Sequence, residues 1–146
     1  MKNVKGNAWE VFNDYDALCI TTNGTIKNNG ECVMGRGIAL EVKKRMPKLP
    51  KILGDYIKKY GNRCFIIGKI KNTHIVSFVV KHNWWENADI ELIKRSCKEV
   101  SEMADKFGWN KILLPRPGCG NGKLKWVDVK PILEELLDDR FYVITF

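Results

Sequence analysis

Short apolar runs rich in β-branched residues alternate along this chain with longer segments whose apolar residues recur every three or four positions. That alternation constrains the fold more than any other feature. A brief apolar run bounded by turn residues reads as a strand covered on both faces, and a three-to-four-residue stripe reads as a helix with one buried face. Ala17–Thr22, Cys64–Ile70, Ile75–Val80, Ile112–Leu114 and Phe141–Phe146 fit the first pattern. Gly37–Arg45 reads as a helix stopped before Pro47, and Leu49–Tyr60 as a second helix closed by Gly61. Ala88–Phe107 carries the clearest stripe, through Ile90, Ile93, Cys97, Val100, Ala104 and Phe107, and Trp126–Leu137 is the last helix. Strands interleaved with helices predict a largely parallel sheet covered by helices on both faces. Sheets of this kind bind ligands beyond the carboxyl ends of their strands. The loops that follow those ends are therefore where chemistry is expected.

Composition narrows the class further. At 146 residues the chain is expected to form one domain, residues 1–146, around a single core. With 45% hydrophobic and 29% charged residues it is too apolar for disorder, and it has no apolar run near the roughly 18 residues that span a bilayer. The segment Met1–Trp9 lacks the apolar stretch of a secretory signal. Five cysteines without a C-x-x-C pair suit neither a disulfide framework nor a zinc site. A cytoplasmic monomer with no membrane partner, no metal and no cofactor is the expectation. The net charge of +8 favours anionic partners, among them nucleotides and nucleic acid, although a solvated basic surface gives the same number.

Two loops after expected strand ends are rich in glycine. Asn28–Gly37 runs directly into a helix, and Pro117–Gly122 follows the strand that ends near Leu114. Glycine lets backbone N–H groups approach an anion closely, and a helix N-terminus adds its positive dipole end. Neither loop is a standard nucleotide motif. Gly35–Leu40 lacks the third glycine of G-x-G-x-x-G, and Gly118–Lys123 is one residue short of a P-loop, with Leu124 where Ser or Thr would hold magnesium. Taken singly, each loop fits a structural turn as readily as a phosphate cradle.

Taken together, the ordered set resembles the macrodomain family. Asp16–Asn23 followed by Val33–Leu40 resembles its strand, asparagine, glycine loop and helix, and Pro115–Trp126 resembles its second substrate loop. Within the family the chain is most similar to the DNA ADP-ribosyl glycohydrolase antitoxins, and next to the terminal-ADP-ribose hydrolases. The resemblance implies a three-layer α/β/α fold with a mixed, largely parallel central sheet, and a site for ADP-ribose or an ADP-ribosylated substrate. It implies that Asn7 faces adenine and Asn23 the distal ribose. Gly35, Arg36 and Gly37 would hold the diphosphate from one side and Gly118, Cys119, Gly120, Asn121 and Gly122 from the other, with Met34 and Ile38 also among the ligand-binding residues. Lys81 matches the lysine on which the antitoxin-type enzymes depend, whereas Gly122 stands where the terminal-ADP-ribose hydrolases carry an aspartate.

Simpler roles accompany several of these positions. Asn7 suits a helix N-cap, Asn23 a turn beside Gly24, and Lys81 a solvated strand end. Cys119 suits a small packing residue, and Arg36 a side chain pointing into water. Trp84 and Trp85 suit either stacking on a base or a hydrophobic lid over the core, and His82 either proton transfer or a structural contact. The function implied is an ADP-ribosyl hydrolase acting on a macromolecule, with a nucleobase in DNA as one leaving group. A phosphatase for ADP-ribose 1''-phosphate and a non-catalytic ADP-ribose reader are the alternatives.

Overall fold

A computed structural model describes residues 1–146. Six strands form one sheet: β1 (Lys2–Lys5), β2 (Ala17–Thr22), β3 (Ile66–Ile70), β4 (Thr73–Val79), β5 (Ile112–Pro115) and β6 (Phe141–Thr145). Five helices accompany them: α1 (Ala8–Val11), α2 (Gly37–Arg45), α3 (Leu49–Tyr60), α4 (Ile90–Phe107) and α5 (Trp126–Leu136). The strand order is β1-β6-β5-β2-β4-β3, and every neighbouring pair is parallel except the β3–β4 hairpin. The mixed, largely parallel α/β/α architecture expected from the sequence is the one observed.

Alternation along the strands divides the core into two layers. In β2, Ala17 and Cys19 face one side, where they join Ile93, Cys97 and Val100 of α4 and Val129 and Leu133 of α5. Leu18 and Ile20 face the other, with Ala39 and Val42 of α2 and Leu53 and Ile57 of α3. Because both faces are covered, β2 and β4 are buried at nearly every position instead of alternating. Burying side chains of this size contributes about 1.5–3 kcal/mol each, which makes these central strands the anchor of the fold.

The structure adds one strand and shifts several boundaries. The Lys2–Lys5 strand has a single apolar residue and lies at the sheet edge, so no hydrophobic pattern marks it; its pairing with Tyr142–Thr145 places it. The strand expected from Cys64 begins at Ile66. The Cys64 amide donates instead to the Glu99 carboxylate, and the ladder shifts register between Ile66 and Gly68. Helix α4 begins at Ile90, with the Asp89 carboxylate accepting from the Glu91 amide at 2.8 Å. Ala88 lies outside the helix, and its N–H donates to the carbonyl of Gly122 at 2.9 Å. This bond ties the start of α4 to the second glycine loop.

All five cysteines are free thiols. Burial pushes Cys32, Cys64 and Cys97 up to about 12 and Cys19 well above the ordinary thiol value, so none of the four holds thiolate at neutral pH. Alkylation of the folded protein at pH 7 is therefore expected to modify Cys119 alone, and slowly, because burial raises that thiol too. Peptide mass mapping checks this; rapid labelling of Cys64 or Cys97 in the folded protein would contradict the core described here.

Candidate functional site

A cleft of about 390 Å³ opens beyond the carboxyl ends of the five strands that run in the same direction. Its wall takes Gly6 and Asn7 after β1, Thr22 and Asn23 after β2, and Val80 and Lys81 after β4. Pro115 and Arg116 at the end of β5 and Thr145 and Phe146 at the end of β6 complete that side. Met34–Ile38 and Gly118, Gly120, Asn121 and Gly122 face into the same space. The structure thus brings together every residue expected at the site except Cys119. Its side chain packs against the core, with Sγ 3.5 Å from the Pro117 carbonyl. The packing reading of Cys119 is the one the structure supports.

The two glycine loops meet across the cleft. Gly37, the first residue of α2, has φ of 57°, and a Cβ there would lie 3.3 Å from Asn121 Nδ2. In the second loop a Cβ on Gly122 would stand 2.6 Å from the Gly118 carbonyl oxygen, so the chain folds this tightly only with glycine. No side chain caps α2: Arg36 occupies the N-cap position in an extended conformation without a capping hydrogen bond. The first-turn N–H groups of α2 therefore remain open at the cleft, beside the positive end of the helix dipole. A polyanion with two adjacent charges suits this arrangement of opposed backbone donors.

The flanking polar residues are braced by the protein itself. Asn7 caps α1, its Oδ1 accepting from the Trp9 N–H at 3.0 Å, so the N-cap reading holds while the residue still faces the cleft. Asn23 donates through Nδ2 to the Val33 carbonyl at 3.0 Å and accepts at Oδ1 from the Thr25 N–H at 3.0 Å. This side chain fastens the first glycine loop to the end of β2, which goes beyond the turn expected of it.

Lys81 stands at the seam of the two loops. Its Nζ donates to the carbonyl oxygens of Trp84 and Asn121, both at 3.2 Å, which leaves one N–H of the ammonium uncommitted. Burial, followed by repulsion from Arg36 and Lys123, holds its pKa below the ordinary lysine value. Glu41 is the one acidic side chain in the cleft wall, and it lies on α2. Lys81 is thus the titratable group that a carbonyl-lined frame fixes in place at the loop seam.

Residues near the mouth resolve the remaining alternatives. Trp84 and Trp85 are 45% and 63% exposed, with rings edge to face at 5.9 Å, so they form no lid over the core. His82 pairs with Asp89 at 2.9 Å and so braces the N-terminus of α4, which is the structural role. Arg36 is exposed, yet it borders the cleft and contributes positive charge to it. Sequence reasoning missed Arg116, whose guanidinium lies 4.5 Å from the Trp126 ring centre, and the terminal Thr145–Phe146. Their position at or just beyond the end of a strand was the available signal.

Comparison with known proteins follows this geometry. The family model described as Macro domain matches residues 27–133. A DNA ADP-ribosyl glycohydrolase of Thermus aquaticus is 28% identical over 94% of the chain, which spans 38% of that protein's length. The ADP-ribose glycohydrolase OARD1 of Bos taurus is 28% identical over 74% of the chain and 69% of its own length. Among solved structures, the macrodomain of Thermus aquaticus DarG superposes with a TM-score of 0.78 at 25% identity, covering 99% of this chain and 96% of that one. The macrodomain of Mycobacterium tuberculosis DarG gives 0.78 at 23% identity, covering 99% and 97%. At that identity the likeness speaks for the fold.

Proposed function

The chain belongs to the Macro domain family, and from that premise we propose that it binds ADP-ribose in the cleft and hydrolyses the bond joining ADP-ribose to a macromolecule. One observation carries the reading: Lys81 Nζ is fixed at the seam between two opposed glycine loops, with one N–H free. The open amides of α2 and of Gly118–Gly122 suit a diphosphate. Asn7 and Lys81 line the same cleft. The names of the relatives, both ADP-ribosyl or ADP-ribose glycohydrolases, support the same assignment.

In such a cleavage the glycosidic bond at the distal ribose breaks and its electron pair departs with the leaving atom. Water adds to the ribose carbon, and its proton restores the leaving group. The Lys81 ammonium would stabilise the charge developing on the departing atom by hydrogen bonding and field, a contribution that grows in a partly desolvated site. The exposed Trp84–Trp85 pair next to Lys81 and the +8 charge favour a nucleobase in nucleic acid as the leaving group. Incubating the protein in parallel with ADP-ribosylated single-stranded DNA, ADP-ribosylated protein and ADP-ribose 1''-phosphate tests this. Free ADP-ribose is expected from the DNA, and no phosphate from the third substrate. Phosphate release alone would make the protein a phosphatase.

The brace made by Asn23 yields a second expectation. Asn23→Ala removes the bond to the Val33 carbonyl that holds the first glycine loop to β2, and with it the local turn bond from the Thr25 N–H. ADP-ribose affinity should fall by about 1–2 kcal/mol, the scale of a lost hydrogen bond with partners left unpaired. AMP, which lacks the second phosphate and the distal ribose, should lose less. Equal losses for both ligands in calorimetry would show that Asn23 supports only the general fold.

A further inference from the structure

We propose that Asn62, which lies outside the cleft, is a positioning residue that holds Lys81 at the loop seam. The inference rests on the hydrolase reading for its kinetic consequences, though not for its geometry. Asn62 follows the Gly61 that closes α3, and its Nδ2 donates to the Lys81 carbonyl at 3.0 Å. The adjacent carbonyl, that of His82, accepts from the Gly24 N–H at 3.0 Å. Gly24 itself is confined by this arrangement: a Cβ there would lie 2.7 Å from Asn62 Nδ2 and 2.9 Å from the His82 oxygen. On the strand side, the Val80 N–H donates to Thr22 and the Val80 carbonyl accepts from Asp89. The peptide units around Lys81 are thus fixed by three separate segments, and Asn62 supplies the bond made to Lys81 itself.

The bracing of Asn62 also points to a positioning role. Its backbone carbonyl accepts from Arg95 of α4, and Arg95 stands 3.8 Å from Glu99, whose other contacts are the Cys64 N–H and Arg63. A polar chain therefore runs from α4 through Arg95 and Asn62 to the lysine. Two atoms in it, Asn62 Oδ1 and Arg95 Nε, are buried without a hydrogen-bond partner. Leaving such atoms unpaired costs stability, because each has given up its hydrogen bonds to water. An apolar side chain at position 62 would avoid the cost of the unpaired Oδ1 but would leave the Lys81 carbonyl without its donor. A cost retained at this spot is what a positioning residue requires.

If the Lys81 backbone slackens, its amine leaves the carbonyls of Trp84 and Asn121 and moves into solvent. Its burial is then relieved, the groups facing it, Arg36 from the first glycine loop and Lys123 from the second, repel it less, and its pKa returns upward. His82, next along the chain, has its ring engaged with Asp89 at 2.9 Å.

The test uses Asn62→Leu and, against the chance that it misfolds, the smaller Asn62→Ala, which removes the donor without adding a charge. Three quantities are read for each folded variant: single-turnover release of ADP-ribose, calorimetric affinity for free ADP-ribose, and the titration of the Lys81 ε-carbon by NMR. Release is expected to fall at least tenfold with affinity within threefold of wild type, and the Lys81 titration to move to higher pH. An unmoved Lys81 titration in the folded variants overturns the proposal, whatever happens to the rate. A wild type that releases nothing from any substrate defeats the hydrolase reading instead, and the lysine titration still decides the role of Asn62.

Discussion

Gly120→Glu is expected to abolish detectable ADP-ribose binding in a protein that still folds. Gly120 is exposed in the second glycine loop, and a Cβ built on it meets no atom within 4 Å, so the backbone accepts a side chain without strain. Gly120 lines the cleft. A glutamate there occupies the position assigned to the diphosphate and sets a carboxylate against its charges. At a contact distance of about 4 Å, each such repulsion amounts to several kcal/mol at the dielectric of a partly buried site. Gly122 offers no equivalent test, since a side chain there collides with the Gly118 carbonyl and would disturb the loop. Calorimetry with a thermal melt as the control for folding reads the outcome. Unchanged affinity in folded Gly120→Glu would remove the second loop from the site.

Lys81→Ala is the second large effect. Turnover should fall at least ~100-fold, or about 2.7 kcal/mol of transition-state stabilisation, while free ADP-ribose still binds within a few-fold of wild type. The division follows from the geometry, because backbone amides do the holding and Lys81 supplies a single charge at one end. Lys81→Arg should recover little. The ammonium donates in three directions and uses two of them on carbonyls 3.2 Å away, a frame that a planar guanidinium does not fit. The pH profile gives the sign independently. With the ammonium as the acting form, the rate holds through neutral pH and falls on the alkaline side, with its midpoint below the ordinary lysine value. A rate that instead rises through that range would assign the work to the neutral amine.

The sequence made the layers and the loops legible for a simple reason: a strand covered on both faces, such as Ile75–Val80, and an amphipathic helix, such as Ala88–Phe107, leave opposite apolar periods. Edge strand Lys2–Lys5 leaves neither, because its side chains are mostly exposed and its position depends on pairing with β6. The glycine loops could be placed at strand ends, so their convergence followed from topology. What could not be read was the bonding that fixes them. The reach of Asn23 to Val33, of Ala88 to Gly122 and of Asn62 to Lys81 joins residues brought together only by the fold. Trp84 and Trp85 were ambiguous for a related reason, since exposed and buried tryptophans look alike in a single sequence.

A crystal structure of Lys81→Ala soaked with ADP-ribose tests the central claim most directly. The expected complex has diphosphate oxygens about 2.7–3.2 Å from backbone N–H groups of both Gly35–Ile38 and Gly118–Gly122. Its distal ribose lies within contact distance of position 81, with the anomeric carbon turned toward the Trp84–Trp85 side. Diphosphate held by one loop alone, or a distal ribose directed away from position 81, would contradict the account.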